Sequence, residues 1–349
     1  MRQLEAHTRV ERLLDAAVER FALDLTGITV LTETASGPFV VTPLIAARAG
    51  ASVVAVTRDS DYGSADEVCE YTARWASRLS VDGAIDVHFG SGAERASEAE
   101  LITNLGFVRP IDREFVSRVS TGAVVSLMCE PWEVRPRDVD IAACRAASVP
   151  VLGTDESDPR VQTFGFVGML ALKLLLELEV EVLLSRIVVV SSEPFATPIV
   201  EMLRCAGGEV SLVDVTAGAE LEGEAVAAAC RQADAVVVAE HRDGRTVIGG
   251  KTGVPIGALE AAGAVVAHIA GAVDDPEQRL RKNPPGGVAR GWMTVTTDAL
   301  GPRPVIDLHT AGLRVGQTLV EGMRRFGDAA RAEAMALVAS PALACESAS

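Results

Sequence analysis

The sequence predicts an α/β protein of two parallel-sheet domains, and three observations carry that prediction. Its 349 residues exceed what one hydrophobic core usually supports. A composition of 48% hydrophobic and 23% charged residues is globular, with material for two cores. Short β-rich runs alternate with stretches of helical apolar spacing in both halves of the chain.

The elements follow in order. An opening helix places Val10, Leu13, Leu14, Ala17, Val18 and Phe21 on one face. GITVLTE, from Gly27, then reads as a strand, 38–49 as a helix and SVVAVTR as the next strand. Parallel neighbours need a crossover and a helix is the usual one, so this order implies a parallel sheet. Further strands are expected at 85–89, 99–103, 123–128 and 149–152, with helices between them, notably at 137–147. Asp158-Pro159 opens a long apolar helix over 161–179. A new strand–turn–helix–strand unit begins at 186–190, with the turn SSEPFA, a helix over 198–206 and the strand EVSLVDV. Runs at 235–239, 264–269, 288–297 and 304–308 are expected to complete that sheet, before a final helix over 313–336 and a loose tail, SPALACESAS. The expected division is 1–158 completed by 310–340, an interdomain helix at 159–184, and a second domain at 185–309, with a ligand cleft between the domains.

Bulk chemistry narrows the partners. Acidic residues outnumber basic ones 48 to 32, and no Lys/Arg cluster is dense enough to neutralise a phosphate backbone, which argues against nucleic acid. The cysteines at 69, 129, 144, 205, 230 and 345 lack CxxC or metal-type spacing, so reduced thiols in a cytoplasmic setting are expected. The histidines at 7, 88, 241, 268 and 309 lack ligand spacing, so no metal is expected. The first residues lack the apolar core of a signal peptide, and the greasy stretch 164–184 is broken by Lys173, Glu177, Glu179 and Glu181. Neither segment is expected to engage a membrane.

The second strand–turn–helix carries the clearest chemistry. In a dinucleotide site the turn after the first strand brings backbone N–H groups and a helix start against the pyrophosphate, and glycines permit that approach. Here the turn is Ser191, Ser192, Glu193, Pro194, Phe195 and Ala196. In the G-x-G-x-x-G register, Ser191, Glu193 and Ala196 stand at the glycine positions, and Glu193 is neither small nor neutral. Its carboxylate would repel pyrophosphate while satisfying the helix dipole. Asp214 ends the next strand 23 residues after Ser191, where an acidic side chain accepts from ribose hydroxyls. An ordinary turn with a surface aspartate stands beside that reading.

Two loops of the first half are chemically unusual. CEPWEVRP at 129–136 sets Glu130, Trp132 and Glu133 after a strand, at the edge where α/β proteins bind ligands, and would suit an amine-bearing substrate. The TETASGP turn offers Thr34 and Ser36 at the same edge, and NLGFVRP offers Asn104 and Arg109. A solvated loop and plain turn chemistry are the bland alternatives.

Several segments recur in the order found in one superfamily: DVDIAACRAASVPVLGTDE at 138–156, ADAVVVAEH at 233–241, GAVVAHIAGAVDD at 263–275, GGVARGWMTV at 286–295 and PVIDLHTAGLRVG at 304–316. Over about two thirds of its length the chain resembles the D-2-hydroxyacid dehydrogenases and, more distantly, the S-adenosylhomocysteine hydrolases. The resemblance implies two Rossmann-like domains, one flavodoxin-like and one dinucleotide-binding, with NAD as cofactor and pairing of two copies through the second domain. It implies His309 as the acid/base, Asp298 as the acid that orients it, and His268 at a cofactor-facing position. The family's substrate-binding arginine has no counterpart, because Ile269, Ala270 and Gly271 stand there; Arg109 is the substitute candidate. The expected function is an NAD-linked oxidoreductase on a small polar substrate, either amino-acid-like or a 2-hydroxy or keto acid. An NAD-retaining hydrolase or lyase and a non-catalytic binding protein remain as alternatives.

Overall fold

The computed structural model describes residues 7–216, 220–242, 245–285 and 293–345. The chain divides into two compact units, Met1–Gln162 with Pro302–Ser349, and Thr163–Gly301.

The first unit begins with α1 (His7–Arg20), β1 (Thr29–Glu33), α2 (Val41–Arg48), β2 (Ser52–Thr57), α3 (Ala65–Arg78), β3 (Ile85–Phe89), β4 (Leu101–Thr103), α4 (Arg113–Val116), β5 (Val124–Ser126), α5 (Ile141–Ala146) and β6 (Val151–Thr154). The second unit holds α6 (Thr163–Glu177), β7 (Arg186–Ser191), α7 (Ala196–Cys205), β8 (Glu209–Asp214), α8 (Glu224–Cys230), β9 (Ala235–Ala239), β10 (Thr246–Gly249), α9 (Ile256–Ala262), β11 (Val265–Ala270), β12 (Ala272–Asp274) and β13 (Lys282–Asn283). The chain then returns to the first unit as α10 (Arg303–Phe326), α11 (Ala329–Ala339) and β14 (Ala342–Ala344).

The first unit's sheet runs β14-β6-β5-β4-β1-β2-β3, parallel except for β14. Counted along the chain its parallel strands stand in the order 3-2-1-4-5-6, which reverses direction beside β1. The second unit's main sheet runs β13-β11-β9-β7-β8, the flavodoxin-like order 2-1-3-4-5, and β10 pairs with β12 in a separate ribbon. Both units are therefore doubly wound α/β sheets, as the alternation of runs implies. β7 and β9 are near-continuous valine runs because helices cover both faces of a parallel sheet. Ligands of such sheets bind outside the carboxyl ends of the strands where the order reverses.

Four local expectations are corrected. The run at 304–308 is the first turns of α10 and not a strand: Pro304 sits at the start of the helix, where its fixed φ suits the turn and no N–H is needed. His309 therefore lies inside a helix of the first unit, and does not close the second domain as the sequence pattern predicts. The first part of the tail is not loose, because Ala342–Ala344 pairs with β6 and covers that sheet edge, while residues 346–349 lie outside the described residues. The helix expected between the domains is α6, a member of the second unit, where Val167, Leu170, Leu174 and Leu175 enter its core with Ile187 and Val189. Of the strand expected at 288–297, residues 288–292 lie outside the described residues, and Met293 makes an isolated bridge to Ala270. Among the described residues no helix is long and apolar enough to cross a membrane.

Candidate functional site

In the second unit the order reverses between β7 and β9, and the SSEPFA turn sits at that edge. Ser191 is fully buried and its hydroxyl donates to the Ala239 carbonyl at 2.8 Å, which ties β7 to β9. The start of α7 is already satisfied from within. Phe195 N and Ala196 N donate to the Ser192 carbonyl, at 3.1 and 3.0 Å. Glu193 Oε1 accepts from Thr197 N at 3.2 Å and from Thr197 Oγ1 at 2.5 Å, so a carboxylate rests on the first turn of the helix. Arg242 Nε donates to the Glu193 carbonyl at 2.9 Å and holds the turn from the end of β9.

Phe195 is buried and stacks on His241, with ring centroids 4.1 Å apart and planes at 22°. Burial pushes the His241 imidazole down to about 4, with the Arg242 charge adding to it. The Ser192 hydroxyl is fully buried without a partner, and Glu240, 2% exposed, leaves Oε2 without one while Oε1 accepts from Arg242 N at 2.8 Å. Sequence reasoning misses His241, Arg242 and Glu240 because only strand pairing carries the end of β9 beside the end of β7.

Asp214 stands in register with Ser191 at the tip of β8, and its Oδ1 accepts from Thr216 N and Oγ1 at 2.9 and 2.7 Å. His268 is fully buried in β11, with Nε2 2.6 Å from the Gly271 carbonyl and 3.2 Å from Thr294 Oγ1, and burial lowers its pKa. The imidazole thus serves the packing of the β11 end. Asp298 is buried in a short helical turn of the same unit and accepts from Thr296 Oγ1. A cavity of about 540 Å³ bordered by Arg186, Glu209, Ser211 and Gln232 opens at the amino ends of β7 and β8, the edge opposite the turn.

The first unit gathers a second set of residues at its carboxyl edge. His309 is 5% exposed, and Nδ1 lies 2.6 Å from Thr42 Oγ1 on α2. Burial pushes this imidazole down to about 4, so the ring is neutral at pH 7. Nδ1 is paired with a threonine hydroxyl, and Thr42 carries no sequence signal because 267 residues separate the pair.

Glu33, at the tip of β1, accepts from Phe107 N at 2.8 Å. Burial raises its pKa, against the charges of Arg109 and Arg58, whose guanidinium lies over the Phe107 ring. Arg109 Nη1 also reaches Asp138 Oδ2 at 3.3 Å. The proposed substitute clamp is thus balanced by two carboxylates of its own unit. Thr34 is buried against Thr72 at 2.7 Å, and since Thr72 gives its proton to the Val68 carbonyl, Thr34 is the donor. Ser36 precedes a helical turn at 37–40 and makes no side-chain cap bond.

The carboxylates of the 129–136 loop, expected to suit an amine-bearing substrate, bond within their own surroundings. Glu130 accepts from Trp132 Nε1 at 2.6 Å and Glu156 N at 3.2 Å, and Glu133 accepts from Glu130 N at 3.0 Å. These carboxylates close a capping box on the loop's own backbone. Asn104 likewise accepts from Met128 N at 2.8 Å and donates towards Cys129 Sγ at 3.5 Å. Among the described residues no group of His, Cys, Asp and Glu is arranged to hold a metal ion.

The fold and these edges define a class: a chain of two doubly wound α/β units, the second inserted into the first. No protein-family model matches the chain, and no curated protein matches it in sequence. Solved structures do. A dipicolinate synthase chain from Bacillus subtilis matches with a TM-score of 0.50 at 10% identity, covering 86% of this chain and 99% of that one. Its counterpart from Bacillus halodurans matches at 0.49 and 9%, covering 85% and 98%. The NAD+-bound 3-phosphoglycerate dehydrogenase of Entamoeba histolytica matches at 0.46 and 11%, covering 86% and 97%. The chain shares the two-unit fold of the first of these.

Proposed function

We propose that this chain is an NAD-linked oxidoreductase acting on a small polar substrate. The observation that carries the reading is the carboxyl edge of the second unit, where Asp214 stands in strand register with Ser191 beside the point at which the order reverses. The segments that resemble the D-2-hydroxyacid dehydrogenases point to NAD as the cofactor. An acidic side chain at the tip of β8, Asp214, supports a ribose contact there, since such a residue accepts from ribose hydroxyls in dinucleotide sites. At the pyrophosphate end Glu193 holds the amide and hydroxyl of Thr197 on the first turn of α7, so phosphate contact with Thr197 requires that carboxylate to leave. Bound there, the nicotinamide supplies hydride chemistry.

His309 is the acid/base of this reading. Thr42 fixes the ring through Nδ1, which leaves Nε2 as the nitrogen for proton exchange in this reading. A pKa near 4 keeps Nε2 or Nδ1 unprotonated at neutral pH, which favours proton acceptance, the oxidative direction, over donation. A homodimer belongs to the same reading, supported by exposed Met169, Leu176, Leu183 and Leu184 in the second unit.

Calorimetric titration with NAD and NADH tests the proposal; no heat at millimolar cofactor overturns it. A second reading, a ligand-binding protein without redox chemistry, is favoured by the Glu193 contact, and cofactor binding without any hydride transfer would support it, whereas turnover that survives His309→Ala would remove only the role of His309.

A further inference from the structure

We infer that Glu193 is an internal stand-in for a ligand phosphate, and that it sets how strongly the second unit's turn takes a diphosphate relative to an uncharged nucleoside. The inference rests on the proposed nucleotide site and names what that site selects.

A helix start carries about half a positive charge and a set of unsatisfied N–H groups, which is what makes it attractive to phosphate. On α7 that attraction is spent on Glu193: Oε1 takes both Thr197 N, at 3.2 Å, and Thr197 Oγ1, at 2.5 Å. The turn's Phe195 and Ala196 amides close on the Ser192 carbonyl. Two further observations mark the edge as a ligand site whose phosphate position is contested. The Ser192 hydroxyl, fully buried on the same turn, has no partner and is the donor a phosphate oxygen would take once Glu193 leaves. Glu240 follows Ala239, the register partner of Ser191, and places a buried carboxylate one strand away from the exposed Glu193. Two like charges at one edge raise the cost of bringing a diphosphate between them. The proposed ribose contact at Asp214 belongs to β8, on the far side of β7 from β9. The site as built therefore discriminates through the nucleoside and resists the diphosphate, and a single side chain holds that preference.

The test uses the full chain, with adenosine and ADP-ribose as probes titrated calorimetrically into the wild type, Glu193→Gln and Glu193→Ala. Glutamine keeps the size of the cap and removes its charge; alanine empties the position. Thermal melts of each variant establish folding before titration. We expect ADP-ribose to bind either variant at least about tenfold more tightly than it binds the wild type, with adenosine unchanged within about twofold. Equal ADP-ribose affinity in all three proteins, with adenosine bound, overturns the role of Glu193 and leaves the nucleotide site standing. No binding of either probe to any of the three overturns the nucleotide site, and this inference with it.

Discussion

Thr42 Oγ1 lies 2.6 Å from His309 Nδ1, inside the first unit, and joins the helix after the first strand to the long C-terminal helix. Neither residue is more than 5% exposed. Replacing Thr42 with valine keeps the shape and removes the hydrogen bond, leaving a buried ring nitrogen without a partner. Such a loss costs about 1–3 kcal/mol, to be read as a lower midpoint in denaturant unfolding. An unchanged midpoint would mean that water replaces the hydroxyl.

The buried imidazoles set an acid limit. His309 and His241 are each pushed down from 6.5 to about 4 by burial, so the unfolded chain binds more protons than the folded one between those values. Stability is therefore unaffected by them above pH 6.5 and falls as the pH drops from 6.5 towards 4, by on the order of 3 kcal/mol for each ring. Glu33 and Asp307, both raised by burial, act in the opposite sense as they take up protons in the fold. The cleaner measurement is the titration of each imidazole by NMR, with His309→Gln as the assignment control. A midpoint near 6.5 for His309 would contradict its burial.

Gly322 on α10 allows α11 to approach. A Cβ placed there would lie 2.7 Å from the Ala332 Cα, a backbone atom that cannot swing away. Gly322→Ala should destabilise the chain by about 1–3 kcal/mol despite alanine's better helix propensity. Gly257→Ala on α9, where nothing lies within 4 Å, is the control and should be neutral or stabilising.

The cysteines differ sharply in access. Cys205 is exposed, while burial pushes the Cys144 thiol up to about 12 and Cys230 and Cys345 to about 11. Cys129 is likewise raised, by burial and by the charges of Glu133 and Glu156. A disulfide reagent at pH 7.5 should modify Cys205 first in the native protein and reach these four only on unfolding. Rapid labelling of Cys129 would mean that its loop opens.

The proposed homodimer rests on apolar side chains of the second unit, Leu184 among them at 75% exposed and Leu176 at 56%. Light scattering after gel filtration should give twice the chain mass, and the double variant Leu176→Glu, Leu184→Glu should give one. A wild-type monomer at micromolar concentration removes the dimer.

Much of the architecture is legible in the residues themselves. Valine runs such as RIVVVS and AVVVA announce strands covered on both faces, and their alternation with helical spacing implies parallel sheets, because both signals are local and repeat with the period of the backbone. PVIDL shows where local reading fails: its β-branched residues suggest a strand, yet proline at the helix start and packing along α10 make it helical. The candidate site divides in the same way. The turn 191–196 and Asp214 can be named from sequence, since a turn and a strand tip are local features, and His309 is named by the resemblance alone. What those residues do is decided by partners distant along the chain: Thr42 on His309, Phe107 on Glu33, His241 on Phe195. The sequence alone determined the class of fold and the positions of the chemically unusual side chains. Tertiary structure alone decided which of them are spent on holding the fold, because burial and hydrogen bonding depend on strand order and helix packing, which bring together residues that no spacing in the chain connects.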